Sequence, residues 1–99
     1  MFNFENWRQR LRCEANRLHS DGFNSSWKLN NSYLRAASVE VSGHGLIGSF
    51  RQYENGLVDY EVAGEDRGDF IANEAMIRVT DENFPSIFGS FRKALGLRP

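Results

Sequence analysis

The sequence predicts a single α+β domain over residues 1–99, in which a four-stranded antiparallel β-meander carries an N-terminal and a C-terminal helix on one face. Three observations predict it. Apolar residues near both ends recur every three or four positions, as on one side of a helix. Apolar residues in the middle alternate with polar ones, as in half-buried strands, and glycine-containing turns separate these runs. The 99 residues, 40% of them hydrophobic, suit one domain with a modest core.

The first helix is predicted over about residues 4–20. Asn3 can cap its first turn, and Gly22 is suited to end it. Its side chains form an amphipathic pattern with one apolar stripe. The stripe consists of Phe4, Trp7, Leu11, Ala15 and Leu18.

The segment that follows, residues 23–34, is rich in Asn and Ser. Its Trp27, Leu29 and Tyr33 are spaced for either a short strand or an ordered loop, and the sequence leaves both open. Beyond it, alternating apolar and polar residues predict the four strands of the meander. These strands are placed at about residues 37–42, 46–53, 57–63 and 69–79.

The second helix is predicted to begin after Asp81. Pro85 lacks an N–H group and must lie in the first turn, which places the cap at Glu82 or Asn83. Gly96 is suited to end this helix. The apolar stripe consists of Phe84, Ile87, Phe88, Phe91 and Leu95.

The turn between the second and third predicted strands sets their register. A two-residue turn would mix apolar and charged side chains on both faces. A three-residue loop with Gly56 in the left-handed bulge position instead sets Phe50 opposite Tyr60 and Arg51 opposite Asp59. This pairing produces one polar face and one apolar face, and we expect both helices to cover the apolar one. Its members are Leu46, Phe50, Val58, Tyr60 and Val62.

Charge is unevenly distributed along the chain, although the net charge is only −1. Residues 1–35 carry six bases and three acids, whereas residues 36–90 carry three bases and ten acids. The acidic centre is either the solvated side of the sheet or a surface that recognises a basic partner. Arg8, Arg10 and Arg12 lie in an outward sector of the first helix, but a pI of about 6.1 argues against a nucleic-acid partner.

The sequence also favours a cytoplasmic protein that does not contact a membrane. No apolar run approaches the roughly 18 residues that a spanning helix needs. The N-terminus lacks the apolar region of a secretory signal. Cys13 is the only cysteine, so an internal disulfide is excluded and a reducing compartment is expected.

Few residues could support catalysis, and we expect no enzyme, no metal and no cofactor. The chain contains no P-loop, GxGxxG, HExxH or GxSxG motif. His44 lies in a glycine-rich turn, where a solvated imidazole is expected rather than a base or a metal ligand. Asp59 and Glu61 extend from the same polar face, but an open face lacks the cleft that perturbs the pKa of a catalytic carboxylate.

One hairpin carries a family resemblance. Gly48, the turn Tyr53-Glu54-Asn55-Gly56 and the run Asp59-Tyr60-Glu61-Val62 resemble the strand–turn–strand pattern of the TriTu immunity proteins. The resemblance extends over about residues 37–63. Two departures are Tyr53, where the family pattern has Trp, and Ala63-Gly64, where it has Leu-Asp.

The resemblance implies a small bacterial immunity protein. Such a protein would bind one cognate toxin domain as a heterodimer and neutralise an ADP-ribosyltransferase delivered by type VI secretion on an Rhs protein. Inhibition would come from occluding the active site or the access of its substrate. The expected partner-binding residues are Arg51, Tyr53, Glu54, Asp59, Glu61, Glu65 and Asp66. Two alternatives remain: an adaptor or structural subunit, and a small enzyme that uses His44 with Asp59 or Glu61.

Overall fold

The protein is a five-stranded antiparallel sheet with two helices on one face. The computed structural model describes residues 4–31, 33–66 and 70–99. The strands follow one another across the sheet in chain order. The elements are α1 (Phe4–Ser20), β1 (Asn24–Asn30), β2 (Ala36–Gly43), β3 (Leu46–Tyr53), β4 (Leu57–Gly64), β5 (Phe70–Arg78) and α2 (Phe84–Ala94).

The prediction of four strands was wrong, because the segment left open between strand and loop forms β1. It pairs with β2 along its whole length, with Trp27 opposite Val39 and Leu29 opposite Ala37. Trp27 and Leu29 pack against the core only in part, as expected for a strand at the edge of a sheet. Asn and Ser at the alternate positions meet water and therefore tolerate this conformation.

Both helices cover the same face, as predicted. The stripe of α1 is buried over β1 and β2, and α2 lies over β4 and β5. The α2 cap is Asn83, with Pro85 in the first turn, and Gly96 follows the helix with a φ of +83°. The predicted cap Asn3 and the predicted start of the last strand, Asp69, lie outside the described residues.

The predicted hairpin register is confirmed. Phe50 pairs with Tyr60 and Arg51 with Asp59, and Gly56 adopts the left-handed conformation with a φ of +88°. The rings of Phe50 and Tyr60 are stacked with centroids 5.9 Å apart. On the covered face, α1 and α2 add further rings, and an aromatic cluster forms the centre of the core. Its members are Trp7, Phe50, Tyr60, Phe84, Phe88 and Phe91.

A buried arginine ties the end of α2 to the turn after α1. Arg92 is almost fully buried, and its Nη2 lies 2.8 Å from Asp21 Oδ2. Its Nε donates to the carbonyl of Arg98 at 2.8 Å. The contact with Asp21 joins two segments that are 71 positions apart in sequence. Neither described helix is long and apolar enough to cross a membrane.

Candidate functional site: the open face of the sheet

The sheet face opposite the helices is the candidate functional site. Within residues 4–31, 33–66 and 70–99, neither helix covers it, and we call it the open face. It arises because side chains of successive strand residues alternate between the two faces. On β2 to β4 the core residues alternate with its members. These include Ser38, Glu40, Ser42, Ile47, Ser49, Arg51, Tyr53, Asp59, Glu61 and Ala63.

Among the described residues, two ion pairs cross the open face, each joining a base on one strand to an acid on the next strand. Lys28 Nζ on β1 lies 3.1 Å from Glu40 Oε2 on β2, and Arg51 Nη2 on β3 lies 3.6 Å from Glu61 Oε1 on β4. All four side chains are about half exposed. Exposed pairs of this kind each contribute only ~0–1 kcal/mol to folding. These side chains can therefore leave their ion pairs at little cost in folding free energy.

Asp59 has a different position, since its carboxylate is bound to two groups of the protein. One oxygen accepts from the Tyr53 hydroxyl and the other from the backbone N–H of Met76, each at 3.0 Å. Met76 has a φ of +57°, which is rare for a residue with a side chain. Asp59 therefore holds an irregular point of β5 in place as well as orienting Tyr53.

The pKa of the Tyr53 hydroxyl is raised above its ordinary value of 10.0. Burial is the largest cause, followed by the hydrogen bond to Asp59 and the negative charge of that carboxylate. The neutral phenol is thus the form that the open face stabilises. The hydrogen bond to Asp59 also fixes the position of the Tyr53 ring.

Glu54, in the turn after β3, is engaged by a residue of the segment before β2. Its carboxylate accepts from the Arg35 backbone N–H at 3.1 Å and from Arg35 Nε at 3.0 Å. These two bonds, the backbone one first, lower the pKa of Glu54. Arg35 also lies 3.6 Å from Glu5 and over the ring of Phe4 at 5.0 Å, so Glu54 connects the turn to α1.

The structure therefore brings together four of the seven predicted partner-binding residues. Arg51, Tyr53, Asp59 and Glu61 lie on the open face. Glu54 lies at one end of β4, and the exposed pair Glu65 and Asp66 follows the other end. A strand of eight residues separates these ends by about 26 Å. One partner could contact all seven residues only by spanning the whole face.

The residues of the alternative enzyme are not brought together. His44 is exposed in the β2–β3 turn, and its ring packs edge-on against Phe23 at 5.0 Å. Asp59 pairs with a residue five positions along β3 from the turn, about 17 Å away, and Glu61 is about 10 Å away. Among the described residues, no group of three or more His, Cys, Asp or Glu side chains could hold a metal ion. Cys13 is exposed on α1.

The outward arginines of α1 are engaged with aromatic rings and an acid. Arg10 lies over the ring of Phe84 at 4.5 Å, and Arg12 lies over Trp27 at 5.6 Å. Arg8 pairs with a glutamate one turn earlier at 2.9 Å. Because Arg10 and Arg12 contact rings of neighbouring elements and Arg8 pairs within α1, this sector differs from a row of free bases aimed at phosphates.

A groove of about 600 Å³ crosses one end of the open face, and the sequence reasoning missed it. Its apolar wall consists of Ile47, Ala63 and Phe70, and Glu40 and Glu61 line it as well. A signal was present in the sequence. Ile47 and Ala63 occupy positions that the predicted register assigns to the polar face, where an apolar side chain has no core to enter.

A second groove, of about 700 Å³, lies at the opposite end of the open face. Lys28, Arg51, Tyr53 and the fully exposed Tyr33 contribute to its lining. The open face thus has an apolar and acidic end and an end that carries two bases and two tyrosines, and Glu40 lines both grooves.

Comparisons with known proteins found no relative of this chain. The chain matches no family model, and neither a curated protein nor a solved structure gives a significant match.

Proposed function

We propose that this chain is an immunity protein that acts in the cytoplasm and inhibits one cognate bacterial effector toxin, an ADP-ribosyltransferase. The observation that carries the proposal is the open face, a rigid sheet surface with exposed charges and exposed apolar side chains. The hairpin that resembles the TriTu pattern supplies the four expected partner-binding residues on this face, Arg51, Tyr53, Asp59 and Glu61. The protein would bind with this face and perform no chemistry itself.

The dimensions of the open face suit a protein partner. Five strands about 4.8 Å apart and eight residues long present roughly 19 by 26 Å, or about 500 Å² before side-chain relief. A standard interface buries about 800 Å² on each partner. The turns at either end of the open face would supply the remaining contact area. Glu65 and Asp66, exposed after β4, would then be part of the contact.

The charge of the open face supplies a way to inhibit this class of toxin. An ADP-ribosyltransferase binds NAD, whose pyrophosphate is anionic, so its cleft needs basic or N–H groups. Glu61 and the Glu65–Asp66 turn would occupy those groups in place of the dinucleotide. Blocking the surface on which the target protein docks would be equally effective.

The first test is neutralisation. The chain is co-expressed with a candidate ADP-ribosyltransferase toxin domain, sought among the products of neighbouring genes, and growth is compared with that of cells expressing the toxin alone. We expect restored growth, a 1:1 complex on size exclusion, and loss of ADP-ribosylation in a purified assay. Stable complex formation without loss of ADP-ribosylation would support an adaptor instead. No complex and no rescue would refute the proposal.

The second test maps the contact to the open face. Glu61→Lys is compared with Glu82→Lys, which makes the same charge change at an exposed position just before α2. We expect only Glu61→Lys to slow association with the toxin, by about two- to fivefold, equivalent to ~0.4–1 kcal/mol. Asp59 is left intact because it holds Tyr53 and Met76 in place.

The same variants are measured at two salt concentrations. The screening length falls from about 10 Å at 0.1 M to about 3 Å at 1 M, so the difference between Glu61→Lys and wild type should shrink. Equal association rates for both variants at low salt would place the contact elsewhere, on α1 or beyond the turn after β4.

A further inference from the structure

The apolar and acidic end of the open face has the features of a specific anchor site. Ile47 and Phe70 are 44% and 59% exposed, although both are large hydrophobic residues. With Ala63 between them, they line one continuous groove. Ala63 pairs with Ile47 on one side and with Phe70 on the other, so the three side chains form a row across β3, β4 and β5.

The next row along the sheet is acidic. Glu40 and Glu61 both pair with Ser49, which places their backbones about 10 Å apart on either side of a small residue. Of the described residues that line the groove, two are acids and none is Lys or Arg. The bases that pair with these acids, Lys28 and Arg51, lie outside the groove lining.

Each of these carboxylates retains capacity for a further donor. An ionised carboxylate offers about four lone-pair sites, and each is matched by one exposed base. The groove therefore combines an apolar wall, an aromatic ring and two acceptors that are not saturated. A wholly apolar ligand would leave the carboxylates unused, and a small cation would leave the wall unused.

We propose that this groove is the anchor site for an arginine side chain presented by the partner protein. The methylene stem would lie on Ile47 and Ala63, and the planar guanidinium would stack on Phe70 while donating to Glu61 or Glu40. Arginine fits better than lysine because its flat, weakly hydrated head stacks on rings and forms forked bonds to carboxylates. The partner's identity as a toxin rests on the proposed function, whereas arginine binding is measurable without it.

The test uses the whole chain and a small probe, N-acetyl-arginine methylamide, followed by ¹⁵N NMR titration. Its control is N-acetyl-citrulline methylamide, which has the same shape and no charge. We expect saturable shifts of the backbone amides of Gly48, Ser49 and Ala63 with the arginine probe and much smaller shifts with the citrulline probe. Equal responses to both probes, or shifts confined to other regions, would overturn the proposal.

Two variants separate the parts of the site. The double variant Glu40→Gln, Glu61→Gln should bind the arginine probe about three- to tenfold more weakly, because it loses the contributions of two exposed charge pairs. Ile47→Ser should weaken it through loss of the apolar wall. Glu82→Gln is the matched control and should leave binding unchanged. Glu40, Ile47 and Glu82 are exposed and Glu61 is partly exposed, so the fold is expected to persist and amide dispersion verifies it.

The outcomes are distinguishable from those of the proposed function. If the wild type does not respond to the arginine probe and the double glutamine variant still neutralises the toxin, the immunity role is retained and the arginine site is rejected. An arginine response without neutralisation would retain the site and reject the immunity role. Concentration-dependent dimers that disappear in Ile47→Ser would show that a second copy of this chain occupies the groove, and would also overturn the proposal.

Discussion

The two faces of the sheet are made from alternate residues of the same strands, and they differ in almost every other respect. On β3, Phe50 is fully buried among aromatic rings, and its neighbours Ser49 and Arg51 lie on the open face beside exposed charges. Packing on the covered face fixes the geometry of the backbone, and that backbone positions the side chains of the open face. Except for Asp59, which binds Tyr53 and Met76, open-face residues can therefore change with little loss of stability, because their side chains lie outside the core.

The largest test of this difference compares adjacent residues of β3. Phe50→Ala should lower the free energy of unfolding by about 3–5 kcal/mol, since its ring contacts Tyr60, Phe84, Phe88 and Phe91. Ser49→Ala should change it by less than about 0.5 kcal/mol. Urea unfolding followed by circular dichroism measures both. Similar losses for the two variants would contradict the division between the faces.

A second comparison concerns two glycines. A Cβ atom at Gly48 would lie 3.1 Å from Val41 Cγ2 and 3.3 Å from the Phe91 ring, whereas one at Gly64 would meet nothing within 4 Å. Gly48→Val should therefore destabilise the protein by about 1–3 kcal/mol through overpacking beneath α2. Gly64→Val should be close to neutral. If Gly48→Val were also neutral in the unfolding midpoint, α2 would not be closely packed on β3.

Gln52 is the exception on the covered face. Its side chain is 0% exposed, and neither its amide nitrogen nor its amide oxygen has a hydrogen-bond partner among the described residues. Gln52→Met keeps the length of the side chain and removes the buried polar group, so we expect a gain of about 1 kcal/mol. Gln9→Met, at an exposed position of α1, is the control and should change stability little. Destabilisation by Gln52→Met would reveal a partner for the amide.

The smallest effect is spectroscopic and concerns two tyrosines. The pKa of Tyr53 and that of Tyr60 are both raised, first by burial, and next by Asp59 for Tyr53 and by Glu74 for Tyr60. Asp59→Ala should therefore lower the titration midpoint of Tyr53 alone, and Glu74→Gln that of Tyr60 alone. Tyrosinate absorbance, assigned with Tyr53→Phe, measures both. A shared shift of both tyrosines in either variant would contradict separate environments.

The sign of the corresponding pH dependence follows from the direction of the shift. A pKa raised in the folded state means that folding favours the neutral phenol. This contribution to stability is complete below the ordinary value of 10.0 and is lost as the pH rises through the higher folded-state pKa. The free energy of unfolding should thus fall at strongly alkaline pH. Its slope against pH should be smaller in Asp59→Ala than in the wild type, whatever the stability of the variant at neutral pH.

The sequence was sufficient for the elements whose patterns are strong. Three patterns each allow a single local structure, and all three structures were predicted correctly. They are the apolar stripe of α1, Pro85 near the start of α2 and the bulge at Gly56. β1 was left open because an edge strand buries little and its Asn and Ser residues are equally at home in a loop. The groove was missed because Ile47 and Phe70 become neighbours only through pairing across three strands.

The contact between Arg92 and Asp21 has a consequence for the order of folding. Each strand of the meander pairs with its neighbour in sequence, so hairpins can form one after another with short loops to close. The Arg92–Asp21 pair instead closes a loop of 71 positions. Closing so long a loop costs entropy, and if the contact forms after the transition state, its loss accelerates unfolding more than it slows folding. The Arg92–Asp21 ion pair would thus lower the unfolding rate and lengthen the lifetime of the folded state.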